Sequence, residues 1–273
     1  MSVSKASMDR YSDPTFVGAY VEAEWGDKLD VSGSIPSHPS DVFDPPCFST
    51  FYKEVAEFAQ RELKNQTVET ACDIGCSIGR FLYEFCIVFP DVKDLVGVEP
   101  SEVFTDYARK FLLRSEKADI RWIPLPQTQV TSNYVPLNET FLSQVDLGEK
   151  LRKRVEIVTG LGENTPRPDG YFDALFCLNV IDRHPNPKAL VRALERFLKT
   201  EGRFFLASPM DWDERFTDRE YWVDDLAELF SKAEWEKQAE TNLRYPFRYA
   251  LRHQNNYVSQ VVCMKRNPTT SKS

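Results

Sequence analysis

The chain has 273 residues, 42% apolar and 28% charged, with 19 Phe and 11 Tyr. This is a globular mix with apolar bulk for a sizeable core. A net charge of −8 and a pI near 5.1 argue against broad contact with a phosphate backbone, so no nucleic-acid partner is expected. No apolar run reaches the ~18 residues of a membrane span, and MSVSKASMDRYSD has no apolar signal core. The expectation is a cytoplasmic protein with no membrane partner. Six cysteines form no Cys-x-x-Cys pair, and the three histidines (38, 184, 253) are scattered. They read as free thiols and no metal site.

Residues 1–60 read as an N-terminal cap or lid. VGAYVEAEWGD (17–27) predicts a short helix stopped by Gly26, and SGSIPSHPSDVFDPPCF predicts loop. FYKEVAEFAQREL (51–63) predicts an amphipathic helix. A rhythm follows through a core of 61–273. TACDIG (70–75), DLVGVE (94–99), VEIVTG (155–160), YFDALFCLN (171–179) and RFFLASP (203–209) predict strands. RFLYEFCIVF (80–89), VFTDYARKFLLR (103–114) and KALVRALERFLKT (188–200) predict helices, the last closed by Gly202. Residues 119–146 read as an insertion, with a strand at IRWIPLP and then loop. YVSQVVCMKR (257–266) predicts a final strand, and the tail about 267–273 disorder. Short buried strands alternating with helices predict an α/β fold with a parallel sheet covered on both faces.

In such a sheet, ligands bind where the first strand turns into the first helix. Asp73-x-Gly75-x-x-x-Gly79 falls there, with Cys76 as a small residue that lets a cofactor approach. Glu99 ends the second strand, near the offset at which a carboxylate holds ribose hydroxyls. A nicotinamide dinucleotide wants three glycines over its pyrophosphate, and two are missing. S-adenosylmethionine (SAM) has no phosphate, and its positive amino and sulfonium groups suit Asp73. SAM is therefore the expected cofactor.

The set C-D-I-G-C-S-I-G-R, V-G-V-E-P-S, Y-F-D-A-L-F-C-L-N-V-I-D-R and L-K-T-E-G-R-F-F-L, spanning about 70 to 209, resembles class I SAM-dependent methyltransferases. The resemblance implies a Rossmann-like, mostly parallel seven-stranded sheet. Asn179-V-I-D-Arg183, Ser208-P-M-D-W-D-E-R-F-Thr217 and Glu220-Y-Trp222 look more narrowly like the methyltransferase domain of ovothiol synthase. Tyr20-V-E-A-E-W-Gly26 and Pro246-F-R-Y-A-L-R-His253 fit that resemblance too. That domain N-methylates the imidazole of 5-thiohistidine (4-mercaptohistidine). The resemblance implies a histidine-derived small molecule as acceptor. It also implies a separate sulfur-transfer enzyme as partner, because no such domain is present in this chain. The family's acidic residue after Gly160 is replaced by Leu161, with Gly162 and Glu163 following.

The implied cofactor set is Asp73, Gly75, Cys76, Gly79, Arg80, Glu99, Pro100, Gly162, Glu163, Asn179 and Val180. Arg80 pairs either with Asp73 or with the SAM carboxylate. Asn179 holds either an acceptor nitrogen or the methionine end of SAM. Asp182 accepts the ring N–H and stabilises the cation that forms, so Asn179 and Asp182 are the catalytic candidates. Arg183 buttresses a nearby carboxylate, and His184 is a proton relay or a surface residue. Tyr11, Tyr20, Trp25, Asp182, Tyr249, Arg252 and His253 are the substrate-binding candidates, the aromatics forming a lid around a cation. Two other readings stand beside this one: methylation of a protein or peptide histidine or of another small acceptor, and a SAM-binding subunit without catalysis.

Overall fold

The computed structural model describes residues 14–28, 49–114, 119–122, 133–136, 149, 152–250 and 253–267. In chain order the main elements are helices α1 (Pro14–Trp25) and α2 (Phe51–Glu62), strand β1 (Thr70–Ile74), α3 (Arg80–Val88), β2 (Asp94–Glu99), α4 (Glu102–Arg109), β3 (Asp119–Trp122), β4 (Asn133–Pro136), β5 (Val155–Thr159), β6 (Phe172–Leu178), α5 (Pro187–Glu195), β7 (Leu198–Ser208), β8 (Trp235–Ala250) and β9 (His253–Arg266). Seven strands form one sheet in the order β5-β2-β1-β6-β7-β9-β8, and β3 pairs with β4 separately. The first five run parallel; β9 is antiparallel to β7 and to β8.

The alternation of side chains sorts the core into two layers. Ala71, Ala174, Phe176, Phe205 and Cys263 join α1–α4 on one face. Cys72, Ile74, Leu175, Phe204 and Leu206 join α5 and Phe230 on the other. Because both faces are covered, the parallel strands read as continuous apolar runs. On the first face Phe176 stacks on Phe205, centroids 4.7 Å apart, and Phe81 lies 4.5 Å from Phe176. Such ring pairs add to the area they bury.

Several elements differ from the expectation. The helix expected to 200 ends at Glu195, and the chain rejoins the sheet at Leu198, opposite Phe172. Residues 199–202 bulge before pairing resumes at Arg203. Gly202 is part of that bulge and not a helix stop: a Cβ there would stand 2.8 Å from Leu198 Cδ2 and 3.1 Å from the Phe172 carbonyl. The helix expected over 103–114 is α-helical only to Arg109, capped by the Ser101 hydroxyl, and closes with a π turn over Lys110–Arg114. Within the insertion, 133–136 is a strand where loop was expected. The 16-residue β8 was not expected at all. It lies at the sheet edge, so its charged stretch is exposed and carries no core pattern. The tail 268–273 and most of the N-terminal loop lie outside the described residues. Among the described residues no helix is long and apolar enough to cross a membrane, and no cluster of metal-binding side chains occurs.

Candidate active site

The C-terminal ends of β1, β2, β5, β6 and β7 converge on one cavity of about 500 Å³, within the usual range for small-molecule sites. This is the switch point of the sheet, where β1 is followed by β2 on one side and β6 lies on the other.

The loop after β1 is built on left-handed backbone. Gly75, Ser77 and Gly79 have φ of 75°, 49° and 86°. Glycine adopts this freely, so Ser77 is the costlier member. The amides of Gly75 and Cys76 both donate to the Val98 carbonyl, at 2.7 and 3.1 Å. The loop is thereby tied to β2. A Cβ on Gly75 would stand 2.3 Å from Val180 Cγ2, so this glycine lets the loop press against the segment after β6.

Glu99, at the end of β2, lines the cavity. Its Oε2 accepts from the Ser77 amide at 3.2 Å and its Oε1 from the Ser101 amide at 2.9 Å. Burial nevertheless pushes its carboxyl up to about 7. Each oxygen keeps a lone pair for an outside donor. Pro100, Leu161, Gly162 and Glu163 continue the same wall. Gly162 has no room for a side chain, since a Cβ would meet Ile74 Cγ2 at 2.4 Å.

Beneath the loop lie two more carboxylates that do not line the cavity. Asp73 is 2% exposed and Glu24, on α1, is 1% exposed. Glu24 Oε2 accepts from the Arg80 amide at 3.4 Å. Asp73 Oδ1 and Glu24 Oε1 have no hydrogen-bond partner among the described residues. Burial raises the Asp73 carboxyl well above its ordinary range, with Glu99 adding repulsion; burial pushes Glu24 up to about 8.

On the other side stands the turn after β6. Asn179 lines the cavity with φ of 57°, and its Oδ1 accepts from the Ser259 hydroxyl on β9 at 2.8 Å. Ile181–Arg183 form one 3-10 turn, held by the buried Thr217, whose hydroxyl donates to the His184 carbonyl at 2.8 Å. The Asp182 side chain lines the cavity yet is almost wholly buried, which raises its carboxyl. Arg183 Nη1 lies 3.3 Å from Asp182 Oδ2, and Arg183 Nη2 lies 2.9 Å from Asp211 Oδ2. His184 Nε2 is 3.9 Å from Glu163 Oε1, and burial lowers the His184 pKa, favouring the neutral ring.

Not every expected residue reaches the cavity. Arg80 is bound instead to Asp27 at 2.5 Å and Glu84 at 2.6 Å, donates to the Glu24 carbonyl at 2.6 Å, and lies over the Trp25 ring. It latches α1 to the loop and meets neither Asp73 nor the cavity. Trp25 is fully buried in the core, its Nε1 donating to the Ile78 carbonyl at 3.2 Å. Cys76 packs against Gly97 and is buried, and burial raises its thiol, which disfavours the thiolate. Gly79 starts α3 and packs on Leu112. His253 is exposed and outside the cavity lining. Tyr20 does line it. Tyr11 and Arg252 lie outside the described residues, as does the side chain of Tyr249.

Sequence reasoning missed Glu24 and an aromatic group: Phe16, Phe104, Tyr245 and Phe247 line the cavity with Tyr20 and Tyr257. A signal was present. Phe16 and Tyr20 are four apart, on one helix face, and Tyr245 and Phe247 are two apart, on one strand face.

Comparison with known proteins decides the family. A family described as "methyltransferase domain" matches residues 48–242, more than half of the chain. The chain belongs to this methyltransferase family. A ubiquinone biosynthesis O-methyltransferase from Dechloromonas aromatica (strain RCB) is 34% identical over 73 residues, 27% of this chain and 30% of that protein. The chain thus matches less than a third of that relative's length. A SAM dependent methyltransferase from Aquifex aeolicus superposes over 92% of this chain and 98% of its own, with TM-score 0.50 and 14% identity. A candidate RNA methyltransferase from Pyrococcus horikoshii covers 84% of this chain and 86% of its own, with TM-score 0.51 and 6% identity. These two likenesses are of fold.

The chain carries a methyltransferase domain with a Rossmann-like, mostly parallel seven-stranded sheet, for which SAM is the implied cofactor. The cavity's donor set suits the cofactor. Glu99 offers acceptors for ribose hydroxyls, Ile74, Leu161 and Leu190 give an apolar slot, and the loop at 75–77 brings backbone to the cavity edge.

Proposed function

We propose that this methyltransferase transfers the methyl group to an imidazole nitrogen of a histidine-derived small molecule. The observation that carries the reading is Asp182, a buried carboxyl on the cavity wall beside Arg183. Bound SAM supplies an electrophilic methyl group and a good leaving group, so positioning provides much of the rate. The attacking ring nitrogen must carry a free lone pair, and the opposite nitrogen then bears the proton. Asp182 accepts that N–H, fixes the tautomer and offsets the charge that develops. Asn179, held by Ser259, borders the same space. Glu99 would hold the cofactor ribose; Pro100, Leu161, Gly162 and Glu163 would frame its base. In this reading a separate sulfur-transfer enzyme supplies a thiolated imidazole.

The test is transfer of labelled methyl from SAM to histidine, thiohistidine, histamine and histidine peptides, with mass spectrometry of the products. Asp182→Ala is expected to lower kcat by about 10² or more. Full turnover in that variant would remove Asp182 from the mechanism. A second reading has its own observation: His184 lines the cavity wall 3.9 Å from Glu163, where burial favours the neutral ring, and would act as base toward a phenol. The partial match to an O-methyltransferase points the same way. A catechol in the same panel separates the two, because label on catechol and on no imidazole favours O-methylation.

A further inference from the structure

The cavity has a wall of aromatic rings that the cofactor chemistry above does not use. Phe16 and Tyr20 come from α1, Phe104 from α4, Tyr245 and Phe247 from β8, and Tyr257 from β9. Five of them form one connected group, and Tyr257 pairs with Tyr245 across the β8–β9 ladder. Tyr20 lies 4.9 Å from both Phe104 and Phe247 and 5.1 Å from Phe16, and Tyr245 lies 6.2 Å from Phe247. Most of this wall comes from outside the parallel part of the sheet. Three carboxyls line the same cavity, Glu99 on β2, Glu163 after β5 and Asp182 after β6.

Rings and carboxyls together are what a planar cation selects. A π face attracts positive charge, more strongly when water is excluded, and a flat ring stacks with little loss of contact. We infer that this aromatic wall is the acceptor subsite and that it binds the N-alkylated heteroaromatic cation formed by methyl transfer. The inference rests on the N-methylation reading above. In that step the ring nitrogen's lone pair forms the new N–CH₃ bond while the S–CH₃ bond breaks, its electron pair passing to sulfur. Positive charge moves from sulfonium to ring. The ring N–H proton then passes to Asp182, or the ring leaves as the cation. The wall therefore stabilises a charge that the acceptor lacks before reaction and gains during it, which accelerates transfer.

Binding without turnover tests this. The full chain is saturated with S-adenosylhomocysteine, and two probes of equal size are titrated calorimetrically: 1,3-dimethylimidazolium, a permanent planar cation, and neutral 1,3-dimethylpyrazole. The cation is expected to bind at least about tenfold tighter. Phe247→Leu should remove most of that preference, Phe247→Tyr should keep it, and both should bind S-adenosylhomocysteine as the wild type does. Tyr20→Leu gives the same comparison from α1 if Phe247→Leu fails to fold. Equal affinity for the two probes would overturn the inference, as would a preference that survives loss of both rings. If imidazoles are not methylated yet the cation preference holds, the N-methylation reading fails alone and the subsite stands for another heteroaromatic.

Discussion

Gly75→Ala tests how tightly the two halves of the site are locked together. The substitution acts in two ways. Gly75 has φ of 75°, a conformation that costs an L-residue about 1–2 kcal/mol. Its new Cβ would also stand 2.3 Å from Val180 Cγ2, well inside contact distance. Overpacking of this kind costs about 1–3 kcal/mol, so the variant should lose roughly 2–5 kcal/mol in all. Val180→Ala alone should cost only about 1 kcal/mol, because Val180 is half-buried. The double variant removes the clash and keeps the backbone strain. Urea unfolding of all four proteins at 25 °C gives the coupling, expected at about 1–3 kcal/mol in favour of the double variant. S-adenosylhomocysteine affinity should follow the same order. Additivity within about 0.5 kcal/mol would refute the argument, since it would mean that the loop and the segment after β6 do not press on one another.

The buried acids make stability depend on pH. The Glu24 carboxyl is raised from 4.5 to about 8, so the folded protein holds that proton more firmly than the unfolded chain. Its contribution is full at low pH and is lost as pH rises from about 4.5 through about 8. Glu24→Gln should therefore gain on the wild type between pH 5 and 9, by at most about 5 kcal/mol; parallel curves of stability against pH would show that Glu24 does not titrate there. Arg80→Met should cost about 3–5 kcal/mol by stranding its partners Glu84 and Asp27. Cofactor affinity of the folded fraction should change less than fivefold. Loss of affinity with stability intact would instead make Arg80 a cofactor ligand.

The central sheet was legible because its strands are buried on both faces and end in turn residues. TACDIG and DLVGVE carry that pattern openly, and Glu99 falls where the second strand must stop. What failed to show depends on contacts distant in sequence. Arg80 beside Asp73 suggested a local pair or a cofactor contact; its actual partner Asp27 is 53 residues away, on a segment whose position the sequence does not reveal. Gly202 resembled a helix stop because a bulge and a C-cap both favour glycine. The edge strand β8 has a mostly exposed, charge-rich first half after the buried Trp235, and Tyr245–Phe247 reach the interior only near its far end. The aromatic wall is scattered over four elements, so Tyr20 was expected at the site while Phe16, Phe104, Tyr245 and Phe247 were not.

Helix α1 has two obligations at once. Val17, Val21, Ala23 and Trp25 are buried in the core, while Phe16 and Tyr20 border the cavity. Twelve residues thus answer both for the fold and for what the cavity will admit. A change of acceptor made on this helix must keep its inner face intact, or the latch at Arg80 loses the element it holds. The inner face of β8 around Phe247 is shorter and lies at the sheet edge. Selectivity has more room to drift there than at the N-terminal helix, and the floor at Glu99 stays unchanged in either case.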